Sequence, residues 1–202
     1  MSSSPQPTQV RIVEAAERLM RSLGLARTTT KEIARAAGCS EAALYKHFKN
    51  KEEIFVRVLE DRLPRIVPLL ADLTDDPGGR VVRDCLTDIA RHAVHFYEST
   101  TPIAASLFAE PALLQRHREA LRALETGPDT LLTSLATYLR AERGAGRIAP
   151  GADPRAAAAL LLGACFQRAF LRCFWDKEPP QPLDEFATAL ADTVLEGVAV
   201  RS

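Results

Sequence analysis

Apolar residues recur at helical spacing along all 202 residues of the chain, and this periodicity restricts the fold more than any other feature. No stretch alternates apolar and polar residues over enough positions to predict a strand. Glycine and proline clusters divide the pattern into short segments in the first sixty residues and longer segments beyond them. The sequence therefore predicts an all-α protein.

The first sixty residues predict four short helices with defined ends. The first covers residues 8–23, after Pro7 and before Gly24. Thr29 and Glu32 have the spacing of a capping box for a second helix that ends at Gly38. Ser40 is the predicted cap of a third helix over residues 41–48, and Asn50 with Glu53 repeats the capping box for a fourth. Pro64 marks the end of this unit or a kink in it.

Residues 29–51 have the spacing that a helix-turn-helix requires. A short helix, a tight turn at Gly38 and a second helix set across the first would leave the start of the second helix free to enter a major groove. The predicted shared core is Ile33, Ala34, Ala37, Cys39, Leu44 and Phe48. An ordinary small helical domain could show the same apolar spacing, so the exposed residues must distinguish the two interpretations.

The charge distribution favours a nucleic-acid partner for this segment. The chain is neutral overall, but residues 1–60 carry ten Lys and Arg against seven Asp and Glu. Four of the five lysines fall between Lys31 and Lys51. Such a cluster is typical of a surface that meets phosphates.

The predicted outward face of the third helix divides into two roles. Ala42 and Ala43 are small enough to let the backbone approach bases, and Glu41 could accept a hydrogen bond from cytosine. Glu41 could instead serve only to stabilise the helix N-terminus. Lys46 also lies on this face, and Tyr45, His47 and Lys51 are donors at its edges, where phosphate contacts would fix the register.

The segment resembles the TetR (tetracycline-repressor-like) family of bacterial regulators. The resemblance rests on Thr29-Thr30-x-x-Ile33-Ala34-x-x-Ala37-Gly38-x-Ser40 and on Leu44-Tyr45-x-His47-Phe48-x-x-Lys51-x-x-Ile54-Phe55. It implies a homodimer of Ω-shaped outline that binds a palindromic DNA operator and releases it when a small molecule enters the C-terminal domain. The implied DNA-binding residues are Thr30, Lys31, Ser40, Glu41, Ala42, Ala43, Tyr45, Lys46, His47 and Lys51.

The predicted organisation is a helix-turn-helix DNA-binding domain over residues 1–60 and a helical bundle for ligand binding and dimerisation over residues 61–202. Turn signals such as Thr101-Pro102 predict about six further helices. The two most apolar ones cover residues 153–175 and 183–200. Burial within one subunit and burial in a dimer both fit this composition, and the resemblance favours the dimer.

Aromatic residues of the second domain are candidates for lining a ligand cavity, and plain core or dimer contact is an equal alternative for each. The candidate ligand-binding residues are His92, Phe96, Tyr97, Phe108, Phe166, Phe170 and Trp175. His92 and His95 lack further ligands at a suitable spacing, so no metal site is predicted.

Other protein classes find little support in the sequence. No window approaches a run of ~20 uninterrupted apolar residues, and residues 1–7 lack the features of a signal peptide, so a cytoplasmic protein is expected, nucleoid-associated when bound to DNA. The four cysteines form no C-x-x-C pair, and no nucleophile-and-base arrangement or glycine-rich phosphate loop is present. We therefore expect no enzyme and no cofactor. The alternative function is a helical ligand-binding or interaction protein without DNA-binding activity.

Overall fold

The computed structural model describes residues 6–24, 27–60, 71–72, 79–123 and 127–198. Within these ranges every regular element is a helix, as the periodicity predicts. The helices are α1 (Thr8–Leu23), α2 (Thr30–Ala36), α3 (Glu41–Tyr45), α4 (Lys51–Glu60), α5 (Val82–Phe108), α6 (Pro111–Ala123), α7 (Thr130–Gly144), α8 (Pro154–Trp175) and α9 (Leu183–Glu196). Pro64 lies outside the described residues.

The chain divides into two compact units. The first comprises Met1–Arg62 with Pro102–Gly127, and the second comprises Leu63–Thr101 with Pro128–Ser202. Helix α5 contributes to both, with the division at Pro102. The predicted domain limits at residues 60 and 61 remain a prediction.

The first unit packs around a core contributed by α1 to α4 and by the segment after Pro102. Its largest buried side chains include Ile12, Met20, Ile33, Leu44 and Phe55. The predicted helix-turn-helix core is present, with Cys39 half-buried at its edge. This core is small, so it leaves most polar side chains of α2 and α3 at the surface.

Two local predictions about this unit are wrong. The third helix ends at Tyr45 rather than at Phe48, because the chain turns there to bury Phe48 in the core. Asn50 does accept a hydrogen bond from the backbone of Glu53 at 2.8 Å. The Glu53 carboxylate, however, accepts from the backbone N–H of Lys49 at 2.6 Å instead of completing a capping box with Asn50.

The second unit is a bundle of the described part of α5 up to Thr101 with α7, α8 and α9. Its core includes Leu86, Ile89, Leu135, Tyr138 and Leu161, all fully or almost fully buried. Two arginines of α5 pair with aspartates of α9, Arg83 with Asp192 and Arg91 with Asp184. Five helices follow α4 within the described residues, where about six were predicted.

The turn predicted at Thr101-Pro102 is wrong, because α5 continues through both residues. A proline inside a helix cannot donate to the carbonyl four residues earlier. That carbonyl belongs to Glu98, and it accepts a weak hydrogen bond from the Cys173 thiol, with Sγ and O 3.8 Å apart. The freed acceptor is therefore satisfied by a side chain of α8, which compensates part of the cost of the proline.

Candidate nucleic-acid interface

Capping interactions set the positions of α2 and α3. The Thr29 hydroxyl accepts from the backbone N–H of Glu32 at 3.2 Å, and the Glu32 carboxylate accepts from the backbone N–H of Thr29 at 3.0 Å. Hydrogen bonds from the backbone N–H and the hydroxyl of Thr29 to the carboxylate lower the pKa of Glu32. The Ser40 hydroxyl caps α3 by accepting from the backbone N–H of Ala43 at 3.1 Å. The predicted capping box and the predicted Ser40 cap are confirmed.

The turn between α2 and α3 depends on the backbone of Gly38. Its φ of +65° is in the left-handed region, which glycine occupies without steric cost. A Cβ built there would meet only the Arg11 guanidinium, at 3.8 Å. The turn therefore requires glycine for its backbone conformation and not for lack of space.

The ten predicted DNA-contacting residues lie at the start of α2, in α3 with the residues directly before and after it, and at the start of α4. All ten side chains are exposed or half-buried, and among them only Ser40 also caps α3. Tyr45 keeps 50% of its surface exposed although it belongs to an otherwise packed helix. The small side chain of Ala42 is exposed, whereas that of Ala43 is half-buried. The structure thus brings the predicted residues together on the outside of the helix-turn-helix, and DNA contact by each remains a prediction.

Charge on this segment is strongly positive. Residues 27–51 contain six lysines and arginines and two glutamates, a net charge of +4. Lys31, Lys46 and Lys49 are exposed. One of the two carboxylates, Glu32, already accepts backbone and side-chain hydrogen bonds from Thr29. A surface with this balance attracts polyanions, and the attraction weakens as salt is added.

Sequence reasoning missed a chain of side-chain hydrogen bonds between α2 and α3. The Thr30 hydroxyl donates to Glu41 Oε1 at 2.8 Å, and the hydroxyl oxygens of Thr30 and Tyr45 lie 3.2 Å apart. Glu41 and Tyr45 lie eleven and fifteen positions after Thr30, so no local pattern reveals the contacts. Their side chains form one connected group on the outer surface.

The candidate ligand residues of the second unit lie in a series of ring contacts. Centroid distances are 5.3 Å for Phe96 and Tyr97, 5.4 Å for Tyr97 and Phe166, and 6.4 Å for Phe166 and Phe170. Phe174 continues the series at 5.8 Å from Phe170. Phe174 also contacts Trp175 at 5.0 Å. Burial raises the pKa of Tyr97 to about 12, so its phenol stays neutral at physiological pH.

The series of ring contacts does not include His92 and Phe108, the other two candidate ligand residues. His92 is exposed, and its Nδ1 lies 2.8 Å from the backbone carbonyl of Asp88. Phe108 belongs to the first unit and is 75% exposed. His95 has a different partner from His92, with Nδ1 3.5 Å from a carboxylate oxygen of Glu98. Across the described ranges no group of three potential metal-ligating side chains converges.

The second unit also contains a cavity of about 730 Å³ between the start of α5, the end of α7, the start of α8 and the end of α9. Its walls combine apolar side chains with three arginines, Arg80, Arg83 and Arg147. Each arginine is paired with a carboxylate, Asp88, Asp192 and Glu142 respectively. A smaller cavity of about 380 Å³ includes Arg168 and Arg172. Neither of these two cavities is lined by a candidate ligand residue.

Helix α8 exposes a long apolar face. Leu160, Phe166, Phe170, Phe174 and Trp175 all keep between 43% and 68% of their surface exposed. By length and composition alone, α8 is long and apolar enough to cross a membrane. Within the structure, 28% of its most apolar window is buried. An apolar face of this size is typical of a surface that a partner covers.

Two family profiles match the chain. Residues 12–58 match the profile of bacterial regulatory proteins of the tetR family, and residues 84–198 match the C-terminal domain of AefR-like transcriptional repressors. The HTH-type transcriptional regulator YvkB of Bacillus subtilis is 28% identical over 188 residues, which is 92% of this chain and 95% of YvkB.

Solved structures share the fold along almost the whole chain. The transcriptional regulator FadR of Bacillus subtilis, in complex with stearoyl-CoA, has a TM-score of 0.72 at 19% identity, covering 94% of this chain and 99% of FadR. A SmeT–triclosan complex has a TM-score of 0.67 at 24% identity, covering 95% of this chain and 91% of SmeT. SmeT is the repressor of a multidrug efflux pump of Stenotrophomonas maltophilia.

Proposed function

The chain belongs to the TetR family of bacterial transcriptional regulators, and from this premise we propose that it represses transcription as a homodimer on a palindromic operator. The observation that supports the proposal most directly is the surface of α2, α3 and the start of α4. This surface combines a net charge of +4 over residues 27–51 with small side chains at the start of α3. Residues 1–60 would be the DNA-binding domain, and the proposal includes no catalytic step.

On this surface we assign two roles. Ala42 and Ala43 would let α3 approach base edges, and Glu41 is a candidate for base contact. Thr30, Tyr45, His47 and Lys51 would hold phosphates, with Lys31, Ser40 and Lys46 beside them. Contacts of the second kind fix the register and add affinity for every sequence alike.

We propose that residues 153–175 and 183–200 form the dimer interface. The exposed apolar face of α8 supports this proposal, because a large apolar surface in water is normally covered. A two-fold partner would also double the number of phosphates that the protein neutralises. Two linked half-sites gain affinity of about 10²- to 10⁴-fold over one.

We further propose that the protein acts in the cytoplasm and dissociates from its operator when residues 61–202 bind a small molecule. TetR-family regulators bind small molecules, and two structures of the same fold carry stearoyl-CoA and triclosan. The candidate contacts are His92, Phe96, Tyr97, Phe108, Phe166, Phe170 and Trp175. Because ligand and DNA would act on one equilibrium, each should weaken the binding of the other by the same factor.

Fluorescence anisotropy with the DNA duplex upstream of the protein's own gene tests the proposal. We expect saturable binding that prefers this duplex over a scrambled duplex of the same composition and that weakens as salt rises. Equal affinity for both duplexes, or no binding at low salt, would contradict it.

A further inference from the structure

The hydroxyl groups of Thr30 and Tyr45 and the carboxylate of Glu41 form one hydrogen-bonded chain on the outer surface of the helix-turn-helix. We propose that Glu41 is a positioning residue that competes with DNA phosphates for the hydroxyl proton of Thr30 directly and, through Thr30, for that of Tyr45. This inference rests on the proposed function, since it concerns how the same surface binds DNA.

The direction of the hydrogen bonds follows from what each group can donate. An ionised carboxylate only accepts, so Thr30 must give its single hydroxyl proton to Glu41 across the 2.8 Å contact. The Thr30 oxygen can then only accept from the Tyr45 hydroxyl, 3.2 Å away. Both hydroxyl protons are therefore used within this surface group, and the Tyr45 oxygen presents lone pairs to the solvent.

A DNA phosphate needs donors, because its oxygens only accept. For Tyr45 to donate to a phosphate, its hydrogen bond to Thr30 must break, and Thr30 must likewise leave Glu41 to donate outward. A hydrogen bond to a charged acceptor is stronger than one between neutral groups. Glu41 thus lowers the affinity for every DNA sequence while it holds Thr30 and Tyr45 in fixed orientations before DNA arrives.

The position of the carboxylate separates this role from base reading. Its Oε1 is turned toward Thr30 at the start of α2, and the contact ties the first residue of α3 to the first residue of α2. Substitution of a residue that acts in this way changes the affinity for all DNA sequences by the same factor. A residue that reads cytosine affects only sites that carry the matching base.

The substitution E41Q tests the inference, because it replaces a charged acceptor by a neutral and weaker one of the same shape. We expect E41Q to bind the upstream duplex and the scrambled duplex more tightly by the same factor, about three- to tenfold. Removing a negative charge near DNA would also raise affinity by itself, so a matched background is needed.

The background is Y45F, which lacks the hydroxyl proton but keeps the ring. If Glu41 competes for that proton through Thr30, the gain from E41Q is smaller in Y45F than in the wild-type chain. A second cycle with T30V, which keeps the shape of Thr30 without its hydroxyl, should reduce the gain further. Circular dichroism melting of each variant shows that the compared proteins are folded.

Equal gains from E41Q in all three backgrounds would assign the whole effect to charge and overturn the inference. A loss of affinity, or an effect restricted to one of the two duplexes, would overturn it too. Wild-type protein that binds neither duplex would instead refute the proposed function. The two failures are therefore distinguishable in one set of titrations.

Discussion

The two candidate interfaces of this protein, the helix-turn-helix surface and the exposed face of α8, are built in opposite ways. The first is polar and cationic, and its side chains are oriented by caps and hydrogen bonds such as those of Thr29 and Ser40. The second is apolar and aromatic, with rings such as Phe170 and Phe174 in mutual contact. The contrast indicates that water and salt weaken contacts at the first surface, because water competes for hydrogen bonds and salt screens charges, whereas release of water drives association at the second.

The largest effect is expected from a charge placed on the apolar face. Phe170→Glu should convert a dimer to a monomer and lower operator affinity about 100-fold or more, since the gain from two linked half-sites is lost. Light scattering gives the oligomeric state, and anisotropy gives the affinity. Because Phe170 is 43% exposed, the subunit itself should remain folded.

Val81→Glu is the matched control, because Val81 is 64% exposed and lies outside α8. A Phe170→Glu protein that stays dimeric would show that the face of α8 is not the interface, and the comparison between the two surfaces would fail.

The next effect separates polar groups that hold the fold from polar groups that meet DNA. Glu142 is almost fully buried and pairs with Arg147 at 2.5 Å. Arg147→Ala would leave a buried carboxylate without this partner. Because the Arg147 side chain is one-third exposed, we expect a loss of about 2 kcal/mol in the free energy of unfolding, below the usual cost of breaking a fully buried pair.

Urea denaturation measures this loss, with Arg140→Ala as the control at an exposed arginine of α7, the helix that contains Glu142. Operator affinity of the folded Arg147→Ala protein should be unchanged. A large change in affinity without a change in stability would contradict the structural role.

A smaller effect distinguishes the two proposed roles within the DNA-facing surface. Lys51→Ala should weaken binding to the upstream and scrambled duplexes alike, by about fivefold, and reduce the slope of log affinity against log salt by about 0.9. Ala42→Asn should instead alter which of a set of operator variants is preferred. A change of sequence preference in Lys51→Ala would reverse the assignment.

The smallest effect concerns pH and the stability of the first unit. His117 is buried against the ring edge of Phe55, 5.9 Å between centroids, and burial lowers its pKa. The folded state therefore favours the neutral ring. The contribution of His117 to the free energy of unfolding is complete above its unfolded pKa of about 6.5. It is lost as the pH falls through that value toward the lower pKa of the folded state.

We expect a lower melting temperature at pH 5.5 than at pH 7.5, and a smaller difference in His117→Phe. Paired carboxylates do not obscure the comparison, since hydrogen bonds from Arg80 and Arg83 lower the pKa of Asp88 and Asp192 below their usual value of 3.8. An unchanged pH dependence in His117→Phe would assign the effect to other groups.

The same contrast explains what the sequence could predict. The bounds of α1, the Thr29 capping box and the Ser40 cap depend on neighbours within four residues, so local patterns identified them. The group of Thr30, Glu41 and Tyr45 joins separate helices, and no periodicity encodes it.

Tertiary packing also overruled one local signal, at Pro102, and bears on a second that the sequence leaves open. Pro102 resembles a turn residue in sequence but lies inside α5, because the carbonyl that it leaves free finds the Cys173 thiol. The aromatic residues of α8 were equally compatible with cavity, core or dimer contact, and only their exposure in the folded subunit favours the last of these. The helix-turn-helix surface depends mainly on local sequence, whereas the exposed face of α8 depends on the packing of the whole bundle.

Gly38 has a consequence for how this protein can vary. The space beside its Cα would accept a methyl group, yet the left-handed backbone would strain alanine there by about 1 kcal/mol. Asparagine and aspartate tolerate that conformation better than other residues with side chains. Tolerance of a substitution at this position should therefore depend on its backbone preference and not on its size. We expect the larger, polar asparagine to be tolerated better than the smaller alanine.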